Sequence, residues 1–470
     1  MNGERRVRLL PRSTRGRLTL AAAVVLVVAG SATAAYLYEK HRTGNIYHPH
    51  APFVAQPVAP TLPKKGQDRF AWPLYGYTKN HTRFFPASAK MMPPYRTVWT
   101  HVGGALLEFP PVMWGNRIFQ LGDDATIHAI DKYTGKDLWR KRIGALSAST
   151  PAVAGTTVYA TVLSRSPGQQ AGRVIALNTI DGHVRWSRDL PSRAESSPLL
   201  DNGRLYFGSQ NGTVYALNAR NGHVIWTYRA SGAVKASPSL SDGVLYFGDY
   251  SGQLQAVRER DGRRIWTSGS GGALLGSGTF YSTPAVVYGR VFLGNTDGRV
   301  YAYDASSGKL DWAVQTGAYV YASPAVANAP GLGPTIYIGS YDGTFYALDA
   351  RSGHIDWQYK VGGKISGSAT IIGRIVYFAD LGAHHTTGLG ISTGRPVFSM
   401  STGAFDPVVS DDHYLYLSGL TGLYALAPYA PAAHKAAAKK AAAARVSRSR
   451  QAQARARTRS ARRHARRRGQ

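Results

Sequence analysis

The 470-residue chain contains no cysteine. That absence excludes disulfides, thiolate metal sites, thiol nucleophiles and anchoring through a lipidated cysteine. Acidic residues are also scarce: 26 Asp and Glu stand against 56 Lys and Arg, a net charge of +30. Such a surplus suggests a nucleic-acid partner until it is located along the chain. Residues 1–42 carry +6 and residues 431–470 carry +14, which leaves only +10 on the long stretch between them. The excess belongs to the ends and not to the body. Long apolar runs are missing too, with one exception near the N-terminus. Glycine is plentiful at 52 residues, which points to many tight turns and few long helices.

The exception is LTLAAAVVLVVAGSATAAYLY at 18–38, 21 residues without a charge. As a helix it spans roughly 30 Å, the thickness of a bilayer core. Arg5, Arg6, Arg8, Arg12, Arg15 and Arg17 precede it against Glu4 alone. Positive flanks stay cytoplasmic, so 1–17 reads as a cytoplasmic segment and 18–38 as a single-pass signal-anchor in the cell membrane, with the rest of the chain extracytoplasmic. Ala32-Thr33-Ala34 also fits a signal-peptidase site, but the apolar run continues through Tyr38 and favours the uncleaved anchor. Residues 39–67 are rich in proline and read as a semi-rigid spacer, long enough to hold a domain up to roughly 70 Å away. Residues 431–470 are low in complexity and short of core-forming side chains, so they read as a disordered tail. Their fourteen positive charges suit anionic lipid headgroups or wall polymers; a solubilising tail without a partner is the plainer alternative, and no specific nucleic acid is expected.

The body repeats itself. VYALNARNGHVIW ends at Trp226, and similar segments end at Trp99, Trp139, Trp186, Trp266, Trp312 and Trp357. A degenerate copy ends at Phe398, and LYALAP closes the series before residue 430. Successive spacings are 40, 47, 40, 40, 46, 45 and 41 residues, and seven of the nine tryptophans share the register. Each unit opens on a Ser/Thr-Pro-type start, followed by a (V/L)-(Y/F)-(F/L)-G strand, an apolar-Tyr-Ala-Leu-like strand and the Trp strand. Turns such as DNG and SDG between them supply positive φ. Four short antiparallel strands per 40–45 residues form a propeller blade. Eight such starts occur, but the last unit stops after three strands, while YRTVW at Trp99 has none before it. The N-terminal strand therefore completes the eighth blade and closes the ring, removing exposed sheet edges. The expected fold is all-β: an eight-bladed β-propeller over 68–430. The seven tryptophans are expected to dock neighbouring blades.

The A-L/I-x-x-x-x-G-x-x-x-W pattern, together with DRFAWPLYGYTKNHTRFFPA at 68–87, resembles the PQQ-like, or quinoprotein-type, propeller repeat over residues 68–428. Two functions follow from that resemblance. In the dehydrogenases of the family, a quinone lies between a Trp floor and a disulfide of adjacent cysteines, beside calcium held by Glu, Asn and Asp, with an Asp as base. This chain has no cysteine for that lid. Asp406 and Asp380, the nearest candidate bases, read as turn or capping residues, and Trp114, the candidate floor, as a core residue. The other branch resembles the BamB-type propellers of outer-membrane protein assembly: exported, tethered and non-catalytic. The resemblance implies a non-catalytic protein-binding or assembly scaffold in the cell envelope, with protein partners and no cofactor. The alternatives are a divergent oxidoreductase that uses pyrroloquinoline quinone (PQQ) and calcium, and envelope-polymer binding through the tail.

In a propeller the innermost strands line a central channel. Three residues before each blade start stand Glu108, Ala148, Glu195, Lys235, Tyr281, Tyr321, Ser366 and Ala404. Of these, Glu108, Glu195, Lys235, Tyr281, Tyr321 and Ser366 are the candidate channel-mouth binding residues. No catalytic residue and no metal site is expected; the adjacent His384 and His385 lack a carboxylate neighbour. Two longer connections, SRSPGQQAG at 164–172 and the Gly-rich stretch near 267–280, read as loops available for partner contacts.

Overall fold

In a computed structural model the described residues are 45–47, 53–54, 70–270 and 278–429. The 18–38 anchor and the 431–470 tail lie outside them. Among the described residues no helix is long and apolar enough to cross a membrane. Eight antiparallel sheets follow one another along the chain, each built on four strands that form one blade.

Blade 3 illustrates how the sequence makes a blade. Its strands are Leu199–Asp201, Arg204–Gly208, Thr213–Asn218 and Val224–Arg229. The two middle strands are buried along most of their length because neighbouring blades cover both faces. The outer strand alternates exposed and buried, as an edge facing water should. Asn202 and Gly203 join the first two strands with φ of +44° and +72°, the geometry a two-residue hairpin turn needs. Each of the eight blades carries a register shift between its third and fourth strands, at Ala216/Leu217 in blade 3. The Trp follows that shift on the facing strand, paired with the small Ala216.

The ring closes as the repeats require. The strand Tyr95–Val102 pairs with Gly422–Pro428, with Trp99 opposite Ala425, and becomes the outer strand of blade 8. The seam to blade 1 holds a fully buried Lys132–Asp411 ion pair at 3.0 Å.

Two segments depart from the sequence-based expectation. The first is the 39–67 spacer. Ile46–Tyr47 adds a fifth strand to blade 5, pairing with Ala313 and Trp312, and Asn45 accepts the Gln315 amide at 3.0 Å. Phe53 packs on Tyr288 with ring centroids 5.2 Å apart and lies within 5.1 Å of the Arg290 guanidinium. The described part of this stretch is therefore a strap on the body, not a free spacer. The physical reason is local: the outer strand of blade 5 reads Leu310–Gln315, LDWAVQ, and buries its middle four residues. The residue after Trp is Ala313 here, but polar in blades 1–4 and 6.

The second is the leader. Ala71–Trp72 pairs with blade 1 and Phe84–Phe85 runs parallel to the inner strand of blade 7. In between, the carbonyls of Pro73, Lys79, Asn80, Thr82 and Arg83 accept inner-strand amides of blades 2, 4, 5, 6 and 7. The leader thus crosses one face of the propeller, at one end of the channel.

Candidate functional site

Each Ser/Thr-Pro start laces its blade to the next around the channel. The Ser197 hydroxyl accepts the Thr150 amide at 2.9 Å, Thr283 accepts the Ser237 amide at 3.1 Å, and Ser323 accepts the Thr283 amide at 2.9 Å. Ser368 accepts the Ser323 amide, and Asp406 accepts the Ser368 amide. Asp406 thus stands in blade 8 where blades 2–7 carry a hydroxyl. Its second oxygen pairs with the buried Arg83 guanidinium of the leader at 3.3 Å. The turn role expected of Asp406 gives way to a buried tie between blade 7, blade 8 and leader. Asp380 does cap a turn, accepting the Gly382 and Ala383 amides.

Above this belt opens a cavity of about 100 Å³. Tyr75 of the leader lies in its wall, its ring under Arg83 at 4.0 Å and its hydroxyl 3.2 Å from Ser368. Burial chiefly, with Arg83 second, holds the neighbouring His81 down at about 3, so the ring is neutral. All six candidate mouth residues line this one cavity: Glu108, Glu195, Lys235, Tyr281, Tyr321 and Ser366. Ala148 and Ala404, from the same repeat position, are not among its lining residues.

The mouth has two unlike sides. Tyr281 and Tyr321 meet edge to face at 5.7 Å, and Tyr250, Tyr341 and Tyr319 extend them into an arc. Tyr319 is 53% exposed, so the arc reaches the open rim. Lys235 and Lys364 sit over its two ends, 4.8 Å from Tyr250 and 5.4 Å from Tyr341. Opposite lies an acidic side. Glu195 pairs with Lys235 at 2.9 Å. Burial, then Glu195 and Asp406, push the Glu108 carboxyl above its ordinary range. Nearby Asp123 is pushed up to about 7 by burial, then by Glu108 and Asp124.

The tyrosine arc was only half legible, because Tyr250, Tyr319 and Tyr341 stand outside the repeat position that gave the ring. Trp114 differs from expectation as well. It is 38% exposed and lies on the leader side, against Pro73 and Leu74, away from the cavity. The histidine pair fills a turn of blade 7, His385 facing Ser401 at 3.1 Å.

Each Trp Nε1 donates to a backbone carbonyl of the next blade: Trp99 to Lys132, Trp139 to Thr179, Trp186 to Ala219, Trp226 to Glu259, Trp266 to Ala305, Trp312 to Ala350 and Trp357 to Ile391. The frame around the cavity is therefore tied at seven of its eight junctions in one way.

Two of the carboxylates here already have cationic partners: Asp406 pairs with Arg83 and Glu195 with Lys235.

Comparison with known proteins gives the same architecture. The sequence model of the family described as "Outer membrane protein assembly factor BamB" matches residues 96–162, 123–273 and 251–415. The outer membrane protein assembly factor BamB of Salmonella typhimurium (strain LT2) is 31% identical over 122 residues, 23% of this chain and 29% of that protein. That of Burkholderia pseudomallei (strain K96243) is 32% identical over 109 residues, 23% of this chain and 26% of that protein. The aligned stretch thus spans under a third of either relative. Among solved structures, BamB from Moraxella catarrhalis superposes with a TM-score of 0.59 at 18% identity, covering 72% of this chain and 99% of that one. A quinohemoprotein alcohol dehydrogenase from Comamonas testosteroni reaches 0.62 at 13% identity, covering 77% and 81%. At these identities both likenesses speak to the fold alone.

Proposed function

This chain belongs to the family of the outer membrane protein assembly factor BamB, and from that premise we propose that it is a non-catalytic protein-binding and assembly scaffold of the cell envelope. The 18–38 helix tethers it to the cell membrane with the N-terminus inside and the propeller outside. The observation that carries the reading is the mouth. A rigid ring, crossed at one end by its own leader, presents a tyrosine arc with one exposed rim residue opposite an acidic wall. Tyrosine-rich platforms are what protein partners use as anchors, and the uncompensated carboxylates Glu108 and Asp123 select a segment carrying a basic side chain. The basic 431–470 tail adds contact with anionic lipids or wall polymers.

Photo-crosslinking separates this reading from its rival. A photoreactive residue at Tyr319 in cells should give a discrete protein adduct, and the same residue at Ile265 on an outer edge should not. PQQ with calcium should leave the tryptophan fluorescence of the purified chain unchanged. Saturable micromolar quenching, with no adduct at Tyr319, would instead support the oxidoreductase.

A further inference from the structure

The seam that closes the ring carries a second cluster, built from side chains of two different blades. His101 comes from the closing strand of blade 8. His128 and Asp137 come from the third and fourth strands of blade 1. His101 Nε2 lies 2.9 Å and His128 Nδ1 3.0 Å from the same Asp137 Oδ1. The two imidazoles are 5.1 Å apart, and the three donor atoms all lie within 4.8 Å of one another. We propose that His101, His128 and Asp137 bind one divalent transition-metal ion of the zinc class, which clamps the closing strand to blade 1.

Two imidazoles and a carboxylate are a donor set that zinc-class ions take, with bonds of about 2.0–2.2 Å and a fourth position left for water. Tetrahedral donors at that bond length stand about 3.3 Å apart. The two His–Asp137 separations, 2.9 and 3.0 Å, are within a few tenths of an ångström of that, and the two histidine nitrogens, within 4.8 Å of each other, close on the ion by side-chain rotation. The site is also reachable. The side chains of His101 and His128 are 11% and 9% exposed, while Asp137 is 31% exposed and forms the open side. The location gives the ion a role. Every other blade is continuous in sequence, whereas blade 8 holds its outer strand only by pairing across the chain's two ends. A ligand that binds only the closed ring stabilises that closure by mass action.

The test uses the purified full chain, with zinc chloride and cobalt chloride as probes. Cobalt should give one equivalent of a visible absorption band typical of four or five coordination, and zinc should displace it. His101→Gln and Asp137→Asn should each abolish the band and weaken zinc binding at least tenfold. Their metal-free melting should match that of the parent chain, so the loss reports ligation and not misfolding. His384→Gln should leave the band intact. Zinc should raise the melting temperature of the parent chain and not of the two seam variants. No cobalt band, or a band unchanged in both seam variants, would overturn the proposal.

Discussion

At the residue scale the repeat is a pairing of one tryptophan with one glycine across seven of the eight junctions. A Cβ on Gly222 would come within 2.6 Å of the Trp186 ring, and φ there is +72°. Gly135, Gly182, Gly262, Gly308, Gly353 and Gly394 repeat the arrangement under the preceding tryptophans. Two separate penalties follow for Gly222→Ala: about 1–2 kcal/mol for the left-handed backbone and about 1–3 kcal/mol for the clash. Gly203 has the same φ of +72° but open space around it, so Gly203→Ala should cost only the first. Urea denaturation should therefore rank Gly222→Ala as the more destabilising of the two, by about 1–3 kcal/mol; equal losses would mean the ring contact is not tight. Asp123 offers a residue-scale test in pH. Its folded pKa of about 7 lies above its ordinary value of 3.8, so ionising it opposes folding. Its favourable contribution is complete below about pH 4 and is lost as the pH rises toward 7. The melting-temperature difference between parent and Asp123→Asn should accordingly change across pH 4–7 and level off above it.

At the scale of the element, the inner-strand belt makes a prediction of its own. Arg83→Met leaves Asp406 buried without its cation, and Asp406→Ser leaves Arg83 without its anion. Each should lose about 3–5 kcal/mol. The double variant restores the hydroxyl that the other Ser/Thr-type starts carry and should recover to within about 1–2 kcal/mol of the parent. Losses that simply add would show that Asp406 does not stand in for the belt hydroxyl. The belt also explains what was legible in the sequence. Blade count, strand order and closure by Tyr95–Val102 were readable because the Trp register, the turn glycines and the Ser/Thr-Pro starts recur. Equivalent positions then placed six side chains around one cavity. What occurs once could not be read that way. The leader's contacts run through its backbone carbonyls, which carry no side-chain signature. The seam histidines come from strands 27 residues apart that meet only because the ring closes. The blade 5 strap had a signal, the apolar LDWAVQ edge, visible only by comparison with the other outer strands.

For the whole molecule, the strap changes how the propeller stands relative to its tether. With 39–67 as a free spacer the body could range roughly 70 Å from the membrane. Because the chain is pinned to blade 5 at Asn45–Tyr47, only six residues separate it from the end of the apolar 18–38 run, a reach of about 25 Å. If that helix anchors the chain, the ring is held close, with the edge of blade 5 turned toward the lipid and blade 1 on the far side. The absence of cysteine makes this directly measurable, since a single introduced thiol takes a single dye. Ile265 on blade 4 and Ile355 on blade 6 flank the strap, Leu138 lies on blade 1, and all three are exposed. In vesicles containing acceptor-labelled headgroups, dyes at Ile265→Cys and Ile355→Cys should transfer energy more efficiently than one at Leu138→Cys. Equal transfer from all three would show a freely tumbling body and would sink the strap as a tether. A held orientation would instead present the mouth sideways along the membrane surface, within reach of partners that are themselves embedded there.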